Sequence, residues 1–323
     1  MSLLIFVIRR LFYMVPLLVC AVTVIFILIH AAPGDPVDYI IGEAGADSEV
    51  VARLRAEMGL DQPLLVQLWR YVVQVLSGNL GYSLVSSAPV LDLILERFPA
   101  TLLLMVSQYS LSAIFGVLLG VLAARRPNGT VDTAITFLSL TSFSLPIFWL
   151  GQMMILGFGY HLNWFPIQGM SNLREGYTGW RYALDVANHM VLPVLTLTIF
   201  NLGLITRLTR ASMLQVVGQD YVKVAYAKGH SERTVLLRHA LRNALLPVVT
   251  VVGLEIPGLV AGAVLAETVF AWPGLGRLTF DAINSRDYPL LMGMFIFISF
   301  FVIAANLMVD IIYGLLDPRI RYR

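Results

Sequence analysis

The sequence predicts an all-α membrane protein with six transmembrane helices and both termini in the cytoplasm. Three observations carry this. Of 323 residues, 58% are hydrophobic and only 13% charged, about half the charged fraction of a soluble domain. The apolar residues fall in blocks of about 20, the length that crosses a hydrocarbon core. The basic residues between the blocks are unevenly shared. With the amino terminus inside, 14 of the 22 Lys and Arg fall in cytoplasmic segments, at Arg9 and Arg10, at Arg125 and Arg126, between Arg207 and Arg242, and at Arg319, Arg321 and Arg323. Cytoplasmic loops carry such an excess. The acids run the other way, with 4 inside, 14 outside or at the outer edge, and 2 within spans. The five His are scattered and Cys20 stands alone, which excludes a disulfide framework and a metal-ligand cluster.

The first span, Leu11–Ala32, has an apolar run too long for a signal peptide, and His30-Ala31-Ala32 is a poor cleavage site. Two prolines in Pro33-Gly34-Asp35-Pro36 stop it. Residues 33–99 form an external helical segment. Ser48 can cap a helix through Met58, with Gly59 at its end. Asp61-Gln62-Pro63 opens a second helix, whose apolar Leu65, Leu68, Val72, Val75 and Leu76 recur at helical spacing. This pair is expected to cap the outer membrane face. A turn at 78–82 and a lead-in from Val90 to Arg97 follow.

Residues 100–313 form the transmembrane core. The second span, Thr101–Ala124, stops at Arg125-Arg126-Pro127. The third, Thr133–Tyr160, contains Pro146 and is expected to kink there. A polar outer loop with Trp164 and Trp180 suits the membrane interface. The fourth span, His189–Thr206, runs into Arg207 and Arg210. The fifth, Ala244–Ala266, contains Gly253, Pro257, Gly258 and Gly262. Small residues let helices approach closely, and proline frees carbonyls that a watery cavity can satisfy. Lining a pathway and plain tight packing are both open for this helix. The sixth span is Pro289–Tyr313, and 314–323 is a cytoplasmic tail.

The cytoplasmic loop at 210–243 is the least ordinary segment. Tyr221 to Lys228 can form a short helix with small side chains at Ala225 and Ala227, so a partner surface can come close. Gly229 can adopt positive φ and end it, and Ser231 can cap the next helix, which carries Arg233, Arg238, His239 and Arg242. Two short helices at an angle make a stiff elbow that can push on the fifth span. A basic amphipathic helix resting on anionic lipid has the same composition.

Two acids lie inside spans, where ionisable groups are costly and mark function. Glu255, near mid-membrane, could meet a cationic group of a transported solute or form a polar contact with a second membrane subunit. Asp310, near the inner end of the last span, suits a structural hydrogen bond. Two isolated acids are thin support for the alternative reading, an ion-coupled secondary transporter using Glu255 and Asp310.

The residues of the elbow decide between these. Asp220, Tyr221, Ala225, Ala227, Lys228, Gly229 and then Arg238 through Pro247 resemble the coupling loop of ABC importer permeases of the dipeptide, oligopeptide and nickel branch. Of the more general Glu-Ala-Ala pattern only Ala225 and Gly229 match. The likeness extends over the chain, through Arg9-Arg10-Leu11, Pro33-Gly34-Asp35-Pro36, Gly59 to Pro63, Gly81-Tyr82-Ser83, Glu267 to Arg277, Arg286 to Pro289, and Asp317 to Arg321.

That resemblance implies the type I permease fold of ABC importers and a non-catalytic subunit in a bacterial or archaeal cytoplasmic (inner) membrane. It implies a homologous second permease, two cytoplasmic ATPases that bind ATP and Mg, and an extracytoplasmic binding protein that delivers peptides or similar small solutes. Lipid is the remaining partner, and no nucleic acid is expected. The chain itself lacks a G-x-x-x-x-G-K-[ST] phosphate loop. ATPase contact is expected at Asp220, Tyr221, Ala225, Ala227, Gly229, Arg233 and Arg238. The bend at Trp272, Pro273, Gly274 and Gly276 is expected at the outer gate or the binding-protein contact, or to anchor the spans at the interface. Glu255, Pro257 and Gly258 are the pathway candidates.

Overall fold

The computed structural model of the chain describes residues 3–31, 61–83, 85–255, 258 and 263–316. Pro33 to Pro36, the helix expected at Ser48–Met58, Gly59, Pro257, Gly262 and residues 317–323 lie outside them. By contacts the chain divides into two units, Met1–Pro99 with Gly274–Arg323, and Ala100–Pro273.

The first unit holds α1 (Leu3–Ala31), α2 (Leu64–Leu76), the beginning of α3 (Val90–Arg125), and at its far end α10 (Leu275–Asn284) and α11 (Tyr288–Leu316). Helix α1 packs along α11, and α2 packs on α1, with the rings of Phe26 and Tyr71 6.1 Å apart. Pro63 precedes α2, its extended backbone starting the helix without needing an N–H. The buried face of α2 is Tyr71, Val72 and Val75, a spacing of one, three and four that one side of a helix provides. Leu65 and Leu76, expected on that face, are exposed. The aromatic ring of Tyr71 takes their place, a residue that an apolar count passes over.

After α2 the chain makes a two-stranded antiparallel ribbon, β1 (Tyr82–Ser83) with β2 (Ala88–Pro89), Tyr82 opposite Pro89 and Ser83 opposite Ala88. The sequence predicts only a turn at this place. The ribbon is held from below. The buried Ser83 hydroxyl donates to Asp287 Oδ2 at 2.5 Å, and Asp287 Oδ1 accepts from the backbone N–H of Leu290 at 3.2 Å, capping α11. Gly293 on α11 meets Val90 and Leu80 so closely that a Cβ would stand 2.4 Å from Val90 Cγ1.

The second unit is built around α6 (Gly179–Val217), a helix of 39 residues. Helix α4 (Thr130–Ser144) lies along it. A Cβ on Gly203 would stand 2.3 Å from the Ser139 carbonyl oxygen, so only glycine permits this approach. A different face of α6 meets α3 at Gly116 and Gly120, where added Cβ atoms would stand 2.7 Å from Ile205 Cγ2 and 2.5 Å from Thr209 Cβ. This is a small-xxx-small pair in α3, of the spacing that Gly258 and Gly262 have in the predicted fifth span.

The third span is not a kinked rod. Helix α4 and the following α5 (Ile147–Met154), extended by a π-helical turn at Ile155–His161, are bent by 104°. Leu145 and Pro146 between them are both extended, with ψ of 131° and 134°. Proline pushes the residue before it out of the helical region and offers no N–H, so the helix ends and restarts. Among the described residues four helices are long and apolar enough to cross a membrane, Val90–Arg125, Gly179–Val217, Glu232–Gly253 and Tyr288–Leu307, and the bent pair makes a fifth if it is one span. Helix α1 adds the apolar stretch Phe12–Leu28. The chain is thus a mostly helical membrane protein.

Candidate coupling elbow and candidate pathway residues

Helix α6 gives way to α7 (Asp220–Ala227). Val222 and Ala225, three apart on one face, are buried. They share an apolar cluster with Met213 and Val216 of α6, Ala124 of α3, and Val235, Leu236, Ala240 and Ala244 past the bend. Ala225 was expected to offer its small side chain to a partner. Instead it is 5% exposed, and its size lets α7 close onto its own neighbours. The outward face carries Tyr221, Val224, Tyr226 and Ala227, all exposed.

Gly229 ends α7 at φ +80°, a conformation that disfavours any side chain. Its N–H donates to Tyr226 O at 2.9 Å and the next N–H to Ala225 O at 3.4 Å. Nothing lies within 4 Å of where a Cβ would be. Ser231 caps the following helix, its hydroxyl oxygen accepting from Thr234 N–H at 3.4 Å. That helix, α8, opens at Glu232–Thr234, passes through a π-helical turn at Val235–Ala240 and continues as Leu241–Leu254. From sequence, the second limb of the elbow is a short helix ahead of a span beginning at Ala244. The two are one helix, because Val235, Leu236, Ala240, Ala244 and Val248 are buried at spacings that keep one face inward.

Tyr221 ties the limbs together. Its hydroxyl accepts from Asn243 Nδ2 at 2.6 Å and reaches His239 O at 3.5 Å. Arg233 and Arg238 are exposed on the second limb. Asp220 pairs with Lys223 at 2.8 Å on the surface. Glu232, which no sequence signal singled out, takes a two-bonded ion pair with Arg125 at 2.9 and 3.0 Å.

The pathway candidates gather where α8 ends. The Glu255 backbone N–H donates to Val252 O at 3.2 Å. Its carboxylate accepts from the Tyr109 hydroxyl of α3 at 3.2 Å. A Cβ on Gly258 would stand 3.4 Å from the same hydroxyl. Tyr109 therefore joins Glu255 and Gly258, while Pro257 lies outside the described residues. Asp310 is on α11, and its side chain is not among the described ones.

The Trp-Pro-Gly bend is an internal feature. Trp272 is fully buried among Leu104, Met105, Val186, Val194, Leu197 and Ala266, and its Nε1–H donates to Ala100 O at 2.9 Å. Pro273 is half-buried. Gly274 precedes α10 in extended backbone, and Gly274 and Gly276 are buried. An indole with no exposed surface offers nothing to a docking protein, so of the roles expected of Trp272 direct docking falls away and a packed gate or anchor remains. Close by in sequence, α9 (Val264–Val269) carries Glu267, which is fully buried and accepts from the Thr101 hydroxyl at 2.9 Å. In the sequence Glu267 is only part of a motif. Its one signal is an acid directly following the apolar run of the fifth span.

Comparison with known proteins identifies the family. Residues 116–322 match the family model of the binding-protein-dependent transport system inner membrane component, and residues 3–105 match its N-terminal membrane component. The dipeptide transport system permease protein DppB of Escherichia coli strain K12 is 41% identical over 98% of this chain and 99% of its own length. The oligopeptide transport system permease protein AppB of Bacillus subtilis is 38% identical and the glutathione transport system permease protein GsiC of Salmonella paratyphi A 39%, each over 98% of this chain and 99% of its own length. The chain belongs to the family of binding-protein-dependent transport system inner membrane components.

Proposed function

We propose that the chain is the permease subunit of an ATP-driven importer of peptides or similar small solutes, a type I permease with six spans and both ends in the cytoplasm. Supporting this are the full-length likeness to dipeptide, oligopeptide and glutathione permeases and one observation that carries the mechanism. The elbow at 219–247 is two helical limbs joined by Tyr221 and a shared apolar cluster, with an open bend at Gly229, at the head of a membrane helix. A second, homologous permease completes the pathway. Two cytoplasmic ATPases bind ATP and Mg and close on the elbow, and an extracytoplasmic binding protein supplies the substrate.

In this reading Asp220, Tyr221, Ala227, Gly229, Arg233 and Arg238 form the ATPase-facing side. Ala225 contributes from beneath by letting α7 lie flat. Glu255 and Gly258, with Tyr109, face the pathway, and the Glu255 carboxylate receives a cationic group such as a peptide amino terminus. Trp272, Pro273, Gly274 and Gly276 stiffen the outer mouth from within. Placing an acid in an apolar span is costly unless it has such a use.

Two measurements test the proposal. Mild-detergent purification of the tagged chain recovers ATPase subunits and a second permease in stoichiometric amounts, whereas a lone chain or homo-oligomer overturns it. Gly229→Ala carries the backbone strain of φ +80° without bulk and keeps part of the transport, whereas Gly229→Trp, inserted alike, abolishes transport and its coupling to ATP hydrolysis. Normal transport by that variant overturns the docking role of the elbow.

A further inference from the structure

We propose that Arg125 and Glu232 are a positioning pair that fastens the elbow to the end of α3, so that a displacement of the elbow reaches α3 and α8 together. The inference rests on the coupling role proposed for the elbow, and adds a route by which its motion leaves it. Along the chain the elbow is joined only to α6 and α8. The route into α3 is through space, across 107 residues of sequence.

The geometry is specific. Arg125 Nε donates to Glu232 Oε1 at 2.9 Å and Arg125 Nη2 to Glu232 Oε2 at 3.0 Å. Two parallel bonds from one guanidinium edge to one carboxylate fix direction as well as distance, which a single bond does not. An acidic residue just inside a helix start is favoured by the helix dipole alone, and Ser231 caps this start. That accounts for an acid at Glu232 but not for its engagement by a guanidinium on another helix.

Apolar packing backs the pair. Ala124, the neighbour of Arg125, lies in the buried cluster with Val222, Ala225, Val235 and Leu236 of the elbow. One turn earlier on α3, Gly120 meets Thr209 of α6. The end of α3 is therefore gripped on its inner side by the elbow's core and on its outer side by Glu232. Both charged side chains are about half exposed, 49% and 45%. An exposed pair adds little to stability, so its expected contribution is alignment, and the two can be separated by experiment.

The test uses the assembled transporter in proteoliposomes, with Arg125→Glu, Glu232→Arg and the exchanged double variant. Transport per ATP hydrolysed, the melting temperature and the ATPase content of the purified complex are read for each. Each single reversal lowers transport per ATP about two- to fivefold, at unchanged melting temperature and ATPase content, and the exchange recovers at least half of the loss. Wild-type transport per ATP in the single variants overturns the proposal, as does a double variant no better than the worse single. Should a reversal block assembly, Arg125→Gln and Glu232→Gln are read instead, with a smaller loss in the same direction expected and a wild-type ratio overturning the proposal. Wild-type behaviour of these variants beside an inactive Gly229→Trp sinks the pair alone. An active Gly229→Trp sinks the coupling role beneath it.

Discussion

Asp132 and Arg210 hold α4 to α6 through a two-bonded ion pair, with Arg210 Nη2 2.6 Å from Asp132 Oδ2. The Asp132 side chain is 4% exposed. The same carboxylate accepts from the Asn128 N–H at 2.8 Å, which secures a turn where Asn128 itself has φ +63°, and from the Thr136 hydroxyl at 3.4 Å. One side chain thus fixes a turn, a helix start and a helix pair. Asp132→Ala leaves the guanidinium and the turn N–H without their acceptor. It is expected to cost about 1–3 kcal/mol, read as a fall in melting temperature of the detergent-solubilised complex. Lys223→Ala, which breaks an exposed pair with Asp220, is expected to leave the melting temperature unchanged.

The contact of Gly203 with Ser139 makes a steric prediction. A methyl group would meet a backbone carbonyl oxygen at 2.3 Å, an atom that moves only if α4 moves. Gly203→Ala is expected to destabilise by about 1–3 kcal/mol. Gly157→Ala, with nothing within 4 Å of the added carbon, is the control and should be neutral. Thermal denaturation of the two side by side checks both.

Trp272 separates volume from polarity. Trp272→Phe keeps most of the apolar volume but leaves the Ala100 carbonyl without its donor, for about 1 kcal/mol. Trp272→Ala removes the whole filling of the cluster and is expected to cost about 3–5 kcal/mol. If the outer bend served as a docking surface instead, Trp272→Phe would weaken capture of the binding protein at unchanged stability, and that pairing of results would overturn the internal role of the indole.

Tyr221 makes the fourth prediction. Its hydroxyl is the acceptor for Asn243 and the bridge to His239, so Tyr221→Phe frees the two limbs of the elbow without removing the ring. Transport per ATP should fall, and Asn243→Ala, which leaves the ATPase-facing side chains in place, should lower it at unchanged ATPase content. An unchanged ratio in both variants would show that α7 is held by its apolar face alone.

The elbow is largely legible in the sequence, because its signals are local. A glycine that must take positive φ, a serine positioned to cap and a run of small residues lie within 11 residues and act on one another directly. Pro146 is legible as a break but not as a right-angle turn, since a proline dictates where a helix ends and the packing of the next one dictates where it goes. The burial of Ala225 and Trp272 runs against expectation for a related reason. In a membrane chain, apolar composition does not distinguish a side chain facing lipid or a partner from one facing its own neighbours. The pairs Asp132 with Arg210, Arg125 with Glu232, and Thr101 with Glu267 join residues 78, 107 and 166 positions apart. No periodicity or spacing rule reaches across such distances, and each member alone looks like an ordinary loop charge or motif residue.

The closeness of α3 to α6 at Gly116 and Gly120 has a use in measurement. With Ile205 and Thr209 of α6 seated directly on the glycine backbone of α3, the two helices have no slack to slide or rotate independently. Leu118 and Leu204 are exposed positions on them, where a pair of spectroscopic probes can sit without touching that seam. Their separation should stay constant through the whole transport cycle, which makes the pair an internal ruler. Any change of distance recorded alike from α3 and α6 to a third site then reports motion between that site and the pair moving as one body.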